Sequence, residues 1–162
     1  MVERVSERLR RGILLAPLVF AAHFLEESSS FVPWFNARVA RGITQDFFWT
    51  VNATGLLITV FLTSGLWATR SASAALVMVA WLSFVMLTNG IFHITGAIVD
   101  RGYVPGLVSA VVLYLPYCAW VAAQVVRHRC LPTGLLVAAA VLGGVPMAVH
   151  GYRILFLGTR LF

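Results

Sequence analysis

The sequence alternates between long apolar segments and short polar connections, and this alternation predicts most of its architecture. Apolar segments of this length are typical of helices that cross a bilayer. They predict membrane helices at 12–27, 47–69, 71–99, 103–126 and 131–157. Because the connections between the last four segments are short, neighbouring helices should be antiparallel. We therefore predict an all-α, polytopic membrane helical bundle with about five transmembrane helices in a single domain, residues 1–162.

Two stretches flank the first segment and differ from the rest of the chain. Residues 1–11 predict a short basic arm. Residues 28–46 form the longest connection and mix Phe31 and Trp34 with Arg38, a combination typical of segments at the membrane interface. Two interpretations of this interfacial loop stay open: a surface loop with an aromatic anchor, or a lid over a site beneath it.

The composition is that of a membrane protein and argues against a nucleic-acid partner. Hydrophobic residues make up 60% of the chain and charged residues 11%, with a mean hydropathy of +0.88. Soluble domains carry about 25% charged residues. The basic residues behind the net charge of +6 are all arginines, and they lie beside apolar segments. We therefore expect membrane lipids as partners and no nucleic acid.

The distribution of the arginines predicts the orientation in the membrane. In a five-helix chain with its N-terminus inside, seven arginines lie in the arm and inner loops, and four lie in the outer loops and tail. Loops on the cytoplasmic side are enriched in basic residues. We therefore predict a bacterial inner-membrane protein with a cytoplasmic N-terminus and an outside C-terminus.

One short motif carries most of the candidate chemistry. His23-Phe24-Leu25-Glu26-Glu27 places an imidazole and two carboxylates near the end of the first apolar segment. Ionisable groups at membrane depth are costly and usually functional. The spacings i, i+3 and i+4 put at least one carboxylate on the same helix face as His23.

The parity of the helices places further polar residues at the depth of this motif. In an up-down bundle, the C-terminal ends of segments one, three and five lie on one side of the membrane. Asn89 and His93 fall in the last third of segment three, and His150 and Arg153 fall in the last third of segment five. The opposite halves of these segments are almost wholly apolar. We therefore predict one polar cavity that opens toward that side.

These residue types are sufficient to bind one divalent metal ion, Zn or alternatively Fe or Mn, and they indicate no organic cofactor. The predicted ligands are His23, Glu26, His93 and His150. Glu27 is the predicted general base, although Glu26 and Glu27 can exchange these roles, and Asn89 would contact a ligand or the substrate. The predicted function is metal-dependent hydrolysis of a lipid or another amphipathic substrate by a small membrane enzyme.

Two other functions fit the same residues. A carboxylate and a neighbouring imidazole can move protons without a metal, as in an isomerase or cyclase that acts on a lipid or isoprenoid. A polar cavity can also belong to a non-enzymatic carrier or to a membrane subunit. The sequence leaves the substrate, the identity of the metal and the formation of a homo-oligomer open.

The motif resembles the signature of the HXXEE family of small integral membrane proteins. Asn89-Gly90-Ile91-Phe92-His93 and Tyr103-Val104-Pro105-Gly106 resemble downstream blocks of that family, so the resemblance covers nearly the whole chain. The family is defined by its motif and has no general function assigned. The resemblance implies that the His and Glu residues of the motif are candidate catalytic groups, and it leaves the reaction open.

Overall fold

The structure is a computed structural model that describes residues 5–162; the start of the predicted arm, residues 1–4, lies outside the described residues. The described residues form an all-helical bundle, which confirms the predicted fold class. Its six helices are α1 (7–27), α2 (Phe31–Asn36), α3 (Gln45–Thr69), α4 (Ala72–Asp100), α5 (Leu107–Arg127) and α6 (Thr133–Leu157).

Helices α3 to α6 are each long and apolar enough to cross a membrane. They contain 25, 29, 21 and 25 residues, and their most apolar stretches have mean hydropathies between 1.5 and 2.0. A span needs about 20 residues. The four helices correspond to the last four predicted segments and indicate an integral membrane protein.

Helix α1 differs from the predicted first span. The arm and the first apolar segment form one helix, in which Ser6 caps the start by accepting a hydrogen bond from the Leu9 amide. Only fourteen residues separate Arg11 from Glu26. They span about 21 Å of helix, less than the hydrocarbon core of about 30 Å. Within residues 5–162, four helices are therefore long and apolar enough to cross a membrane, and the apolar part of α1 is shorter than any of them.

The arm is held by ion pairs outside the apolar region. The carboxylate of Glu7 accepts hydrogen bonds from Arg11 at 2.9 Å and from Arg10 at 2.8 Å. The bonds from Arg11 and Arg10 lower the pKa of Glu7. Further along α1, the hydroxyl of Tyr117 donates to the backbone oxygen of Gly12 at 3.2 Å, which ties α1 to α5.

Two π-helical stretches interrupt the long helices close to the polar residues. Residues Ser83–Thr88 in α4 directly precede Asn89, and residues Ala110–Tyr114 occupy the first half of α5. A π-helical turn inserts an extra residue and rotates the side chains that follow it. These stretches therefore change which faces of α4 and α5 point into the bundle.

The interfacial loop is fastened to the ends of α4 and α6. The indole of Trp34 donates to Asp100 at 2.9 Å, and Arg38 forms an ion pair with the same carboxylate while lying over the Trp34 ring. The backbone amide of Ala40 donates to the oxygen of Gly158 at 3.0 Å. These contacts hold α2 against the bundle.

Candidate metal centre

Three buried side chains from two helices form a compact cluster. The Nε2 atom of His93 lies 3.2 Å from Oε1 of Glu27, and Nε2 of His23 lies 3.7 Å from the same oxygen. One ligand atom from each of the three residues lies within 4.8 Å of the other two. Exposed fractions are 1% for His23, 5% for Glu27 and 0% for His93. Such burial separates the cluster from acidic and basic groups that simply face water.

The local sequence explains how the cluster forms. His23 and Glu27 are four residues apart on α1, so they lie one above the other on the same face. His93 follows Asn89 by four residues on α4, just after the π-helical stretch. The Asn89 side-chain nitrogen lies 3.1 Å from Nε2 of His23. The predicted grouping of the motif with Asn89 and His93 is therefore present.

Ser109, at the start of α5, sets the orientation and tautomer of His23. Its hydroxyl oxygen lies 2.8 Å from Nδ1 of His23 and is hydrogen bonded to Oε2 of Glu26. A hydroxyl has one proton to donate, and the Glu26 carboxylate is an acceptor. We therefore assign the proton of the His23 ring to Nδ1, which donates to Ser109. This assignment makes Nε2 the acceptor nitrogen, and the Asn89 amide, 3.1 Å away, donates to it.

Glu26 is occupied by hydrogen bonds that anchor α5 to α1. Its oxygens accept from the Tyr103 hydroxyl at 2.8 Å, the Val108 amide at 3.1 Å, the Ser109 amide at 2.7 Å and the Ser109 hydroxyl. Partial burial raises the pKa of Tyr103, and its hydrogen bond to Glu26 raises it further. Glu26 therefore contacts the cluster through Ser109, which is bonded to His23, and is not one of its three members.

Gly106 closes the cluster from the connection between α4 and α5. Its φ of +87° is a left-handed conformation that glycine adopts readily. A Cβ at this position would lie 2.8 Å from Cε1 of both His23 and His93, and 3.1 Å from Cγ of Glu27. The backbone of Gly106 therefore packs directly on all three members.

Aromatic rings form the remaining walls. Tyr114 stacks on the His23 ring with a centroid separation of 4.1 Å, and it is fully buried. Within residues 5–162, its hydroxyl has no hydrogen-bond partner, and neither do the two ring nitrogens of His93. The contact of His93 with Glu27 is therefore close without the alignment of a hydrogen bond. Phe31 of α2 lies against His93 with centroids 6.3 Å apart, so the interfacial loop contributes a cover.

His150 lies outside the cluster. Its Nδ1 accepts a hydrogen bond from the Leu161 amide at 3.2 Å, and its ring stacks on Phe162 at 4.0 Å between centroids. The grouped set thus differs from the predicted ligands: it contains His23 and His93, has Glu27 in the position predicted for Glu26, and lacks His150. Helix parity predicts the depth of a residue but not the direction in which its side chain points.

An apolar cavity of about 380 Å³ reaches the cluster. Glu27 and Asn89 contribute to its wall, and His150 lines it as well. The volume is in the range of about 300–1,000 Å³ that small-molecule ligands occupy. Most of the lining is aromatic or aliphatic and includes Phe20, Phe31, Phe48, Trp81 and Phe84. The cavity therefore presents a carboxylate and an amide to an otherwise apolar ligand.

Sequence reasoning did not find Ser109 or Tyr114. A serine in a membrane helix is common and gives little signal by itself, and Tyr114 sits in an apolar run. Sequence reasoning finds Gly106 only as part of a block that resembles the HXXEE family. Its signal was the combination of Pro105 and Gly106 in a connection, which marks a tight backbone turn.

The fold and the cluster together define an integral membrane helical protein with a buried His-Glu-His site that is suited to a metal ion. A family model described as "Protein of unknown function with HXXEE motif" matches residues 14–121, and the chain belongs to this family. The predicted resemblance is thereby confirmed. The match spans His23, Glu27 and His93, whereas His150 lies beyond it. No curated protein and no solved structure matches the chain significantly.

Proposed function

We propose that this protein is an integral membrane enzyme that binds one divalent metal ion through His23, Glu27 and His93 and hydrolyses a lipid or another amphipathic substrate. The geometry of the cluster carries the proposal. Bonds of about 2.0–2.2 Å to one tetrahedral ion place ligand atoms about 3.3–3.6 Å apart. The two separations from Glu27 are 3.2 and 3.7 Å. Two histidines and one glutamate are also a ligand set of catalytic zinc sites, which keep a fourth position for water.

The surroundings of His23 support this assignment. A histidine that binds a metal commonly donates its other ring N–H to an acceptor that fixes the tautomer and orientation. Ser109 and Glu26 provide this arrangement on the Nδ1 side. Nε2 is then the nitrogen that carries a lone pair, 3.7 Å from Glu27. It accepts from the Asn89 amide in this structure, and a metal ion held there would replace that hydrogen bond.

Each residue then has a defined role. A bound divalent ion lowers the pKa of a water ligand and supplies a nucleophile near neutral pH. Glu27 and Asn89 both line the apolar cavity, so Asn89 is placed to hold a polar group of the substrate. Between the two carboxylates that the sequence left interchangeable, this geometry favours Glu27 as the ligand and Glu26 as the group that positions His23 through Ser109.

The contact between His93 and Glu27 also favours a second candidate function. An imidazole nitrogen and a carboxylate oxygen 3.2 Å apart could share a proton without any metal once a bound substrate aligned them. With the apolar cavity beside them, the pair would act as an acid and a base on a lipid or isoprenoid. The two candidates differ in their need for a metal, which makes metal content the deciding measurement.

Metal analysis of the purified protein tests the proposal. We expect about one Zn, Fe or Mn per chain in the wild type and a loss of that metal in the Glu27→Ala variant. His128 directly follows Arg127, the last residue of α5, and so lies at the end of α5 opposite Ser109 and the cluster. His128→Ala is therefore a matched control that should keep the metal. A wild-type protein without stoichiometric metal would overturn the metal-dependent proposal and favour the acid–base mechanism.

A further inference from the structure

A second cavity, of about 450 Å³, adjoins the apolar one. Residues of the interfacial loop and of the C-terminal segment line it, among them Arg41 and Arg160. Phe162 lines both cavities. The two cavities therefore meet at the Phe162 ring. We call the cavity lined by Arg41 and Arg160 the cationic chamber, and the cavity lined by Glu27 and Asn89 the apolar chamber.

The cationic chamber has basic groups that are not neutralised by the protein. Across residues 5–162, neither Arg41 nor Arg160 has a carboxylate within 4.0 Å, whereas Arg38 is paired with Asp100. The guanidinium group of Arg160 lies over the Phe47 ring, 5.3 Å from its centroid, and Phe47 lines the apolar cavity. Arginine is well suited to bind phosphate and carboxylate groups. Two guanidinium groups without a carboxylate partner in the described chain therefore favour an anionic ligand in this cavity.

A phosphate group complements this chamber best. A phosphate monoester carries about −1.5 to −2 charges at pH 7, which matches two guanidinium groups. Its oxygens also accept the paired N–H bonds that arginine donates. The apolar chamber beyond Phe162 suits a single hydrocarbon chain, because its lining includes Phe47, Ile58 and Trp81.

We propose that the two chambers form one binding site for a single-chain amphiphile with a phosphate headgroup. Arg41 and Arg160 bind the headgroup, and the hydrocarbon chain fills the apolar cavity. This binding does not depend on a metal. Because the apolar cavity also reaches Glu27 and Asn89, the ligand is also a candidate substrate. This second role rests on the proposed function.

Binding of dodecyl phosphate to the full chain in a neutral detergent tests the site. Titration calorimetry with dodecyl phosphate, dodecanol and inorganic phosphate separates the contributions of chain and headgroup. We expect dodecyl phosphate to bind at least tenfold more tightly than either of the other two. Arg160→Gln should weaken dodecyl phosphate binding about tenfold or more, since hydrogen bonds to charged groups contribute strongly.

Two further variants provide the controls. Arg127→Gln removes an exposed arginine at the end of α5 and should bind dodecyl phosphate as the wild type does. Ile58→Trp fills the apolar chamber and should lower the affinity for dodecyl phosphate more than the affinity for inorganic phosphate. His93→Ala, which is expected to lose any metal, should retain binding, so that failure of the metal proposal and failure of this one are distinguishable.

Three results would overturn the proposal. Equal affinity for inorganic phosphate and dodecyl phosphate would leave a site for free anions only. Equal affinity for dodecanol and dodecyl phosphate would show that the headgroup is not recognised. Unchanged binding in both Arg160→Gln and Arg41→Gln would remove the two residues on which the site depends.

Discussion

His93 and His150 lie in comparable positions of two membrane helices and have opposite surroundings. Each stands in the last third of its helix, α4 or α6, and each is buried. The His93 ring faces Glu27 and His23, and in the described chain neither of its nitrogens has a hydrogen-bond partner. The Nδ1 atom of His150 is bonded to the Leu161 amide, and its ring is stacked on Phe162.

The difference teaches that depth and chemical availability are separate properties. Both histidines stand in the last third of their helices, but Nε2 of His93 lies 3.2 Å from a carboxylate oxygen without a hydrogen bond to the described residues, whereas His150 uses Nδ1 to hold the C-terminal segment. A nitrogen already bonded to a backbone amide is an acceptor in a structural contact. We therefore interpret the His93 region as the chemical site and the His150 region as a closure of the cavity.

The largest expected effect separates the two histidines directly. Replacing His93 with alanine removes a proposed ligand, and we expect the metal affinity to fall by more than about 100-fold, beyond the 10–100-fold typical of residues that only orient ligands. His150→Ala should leave metal content unchanged and lower thermal stability instead. Metal analysis and thermal unfolding in the same detergent measure both quantities. Equal metal loss in the two variants would indicate that His150 also binds the metal, as the sequence predicts.

A second prediction compares two glycines with positive φ, Gly106 at the His93 cluster and Gly158 at the C-terminal end of α6. Gly106→Ala adds a methyl group 2.8 Å from both His23 and His93, and it also strains a left-handed backbone. We expect a loss of about 2–4 kcal/mol in unfolding free energy together with reduced metal binding.

The matched control for this prediction is Gly158→Ala. Its φ is +63°, and the added methyl group would lie 3.3 Å from the backbone oxygen of Arg38. It should therefore cost about 1–2 kcal/mol from backbone strain and leave the metal content unchanged. Thermal unfolding and metal analysis of both variants check the difference, and unchanged metal binding by Gly106→Ala would contradict the closeness of Gly106 to the cluster.

The sequence was sufficient to predict the helices and part of the site because bilayer thickness constrains both. Predominantly apolar helices of 21 to 29 residues have few alternatives to a membrane span, so α3 to α6 were predictable. The spacing of His23 and Glu27 predicted that they share one face of a helix, and helix parity predicted the depth of His93 in the membrane. The first apolar segment, predicted at 12–27, forms the second part of α1.

The direction of side chains was harder to predict. The π-helical stretch Ser83–Thr88 breaks the 3.6-residue period just before Asn89. Helix α6 is apolar on nearly all sides, so its pattern does not show which face points inward. The contact of His93 with Glu27 and the contacts of His150 with the C-terminal segment therefore require the structure. The same holds for Ser109, whose role depends on a contact with a residue 86 positions away.

The smallest expected effect concerns how the two histidines are held. The Nδ1 atom of His23 is held by a side chain, Ser109, whereas that of His150 is held by a backbone amide. Ser109→Ala should therefore weaken metal binding about 10–100-fold by releasing the His23 ring while the helical fold is retained. Ser83→Ala is the matched control, because it removes a buried hydroxyl that bonds only the Ala140 oxygen at 2.6 Å. Metal titration of both variants distinguishes a positioning role from a general packing effect: equal weakening would assign Ser109 to packing alone.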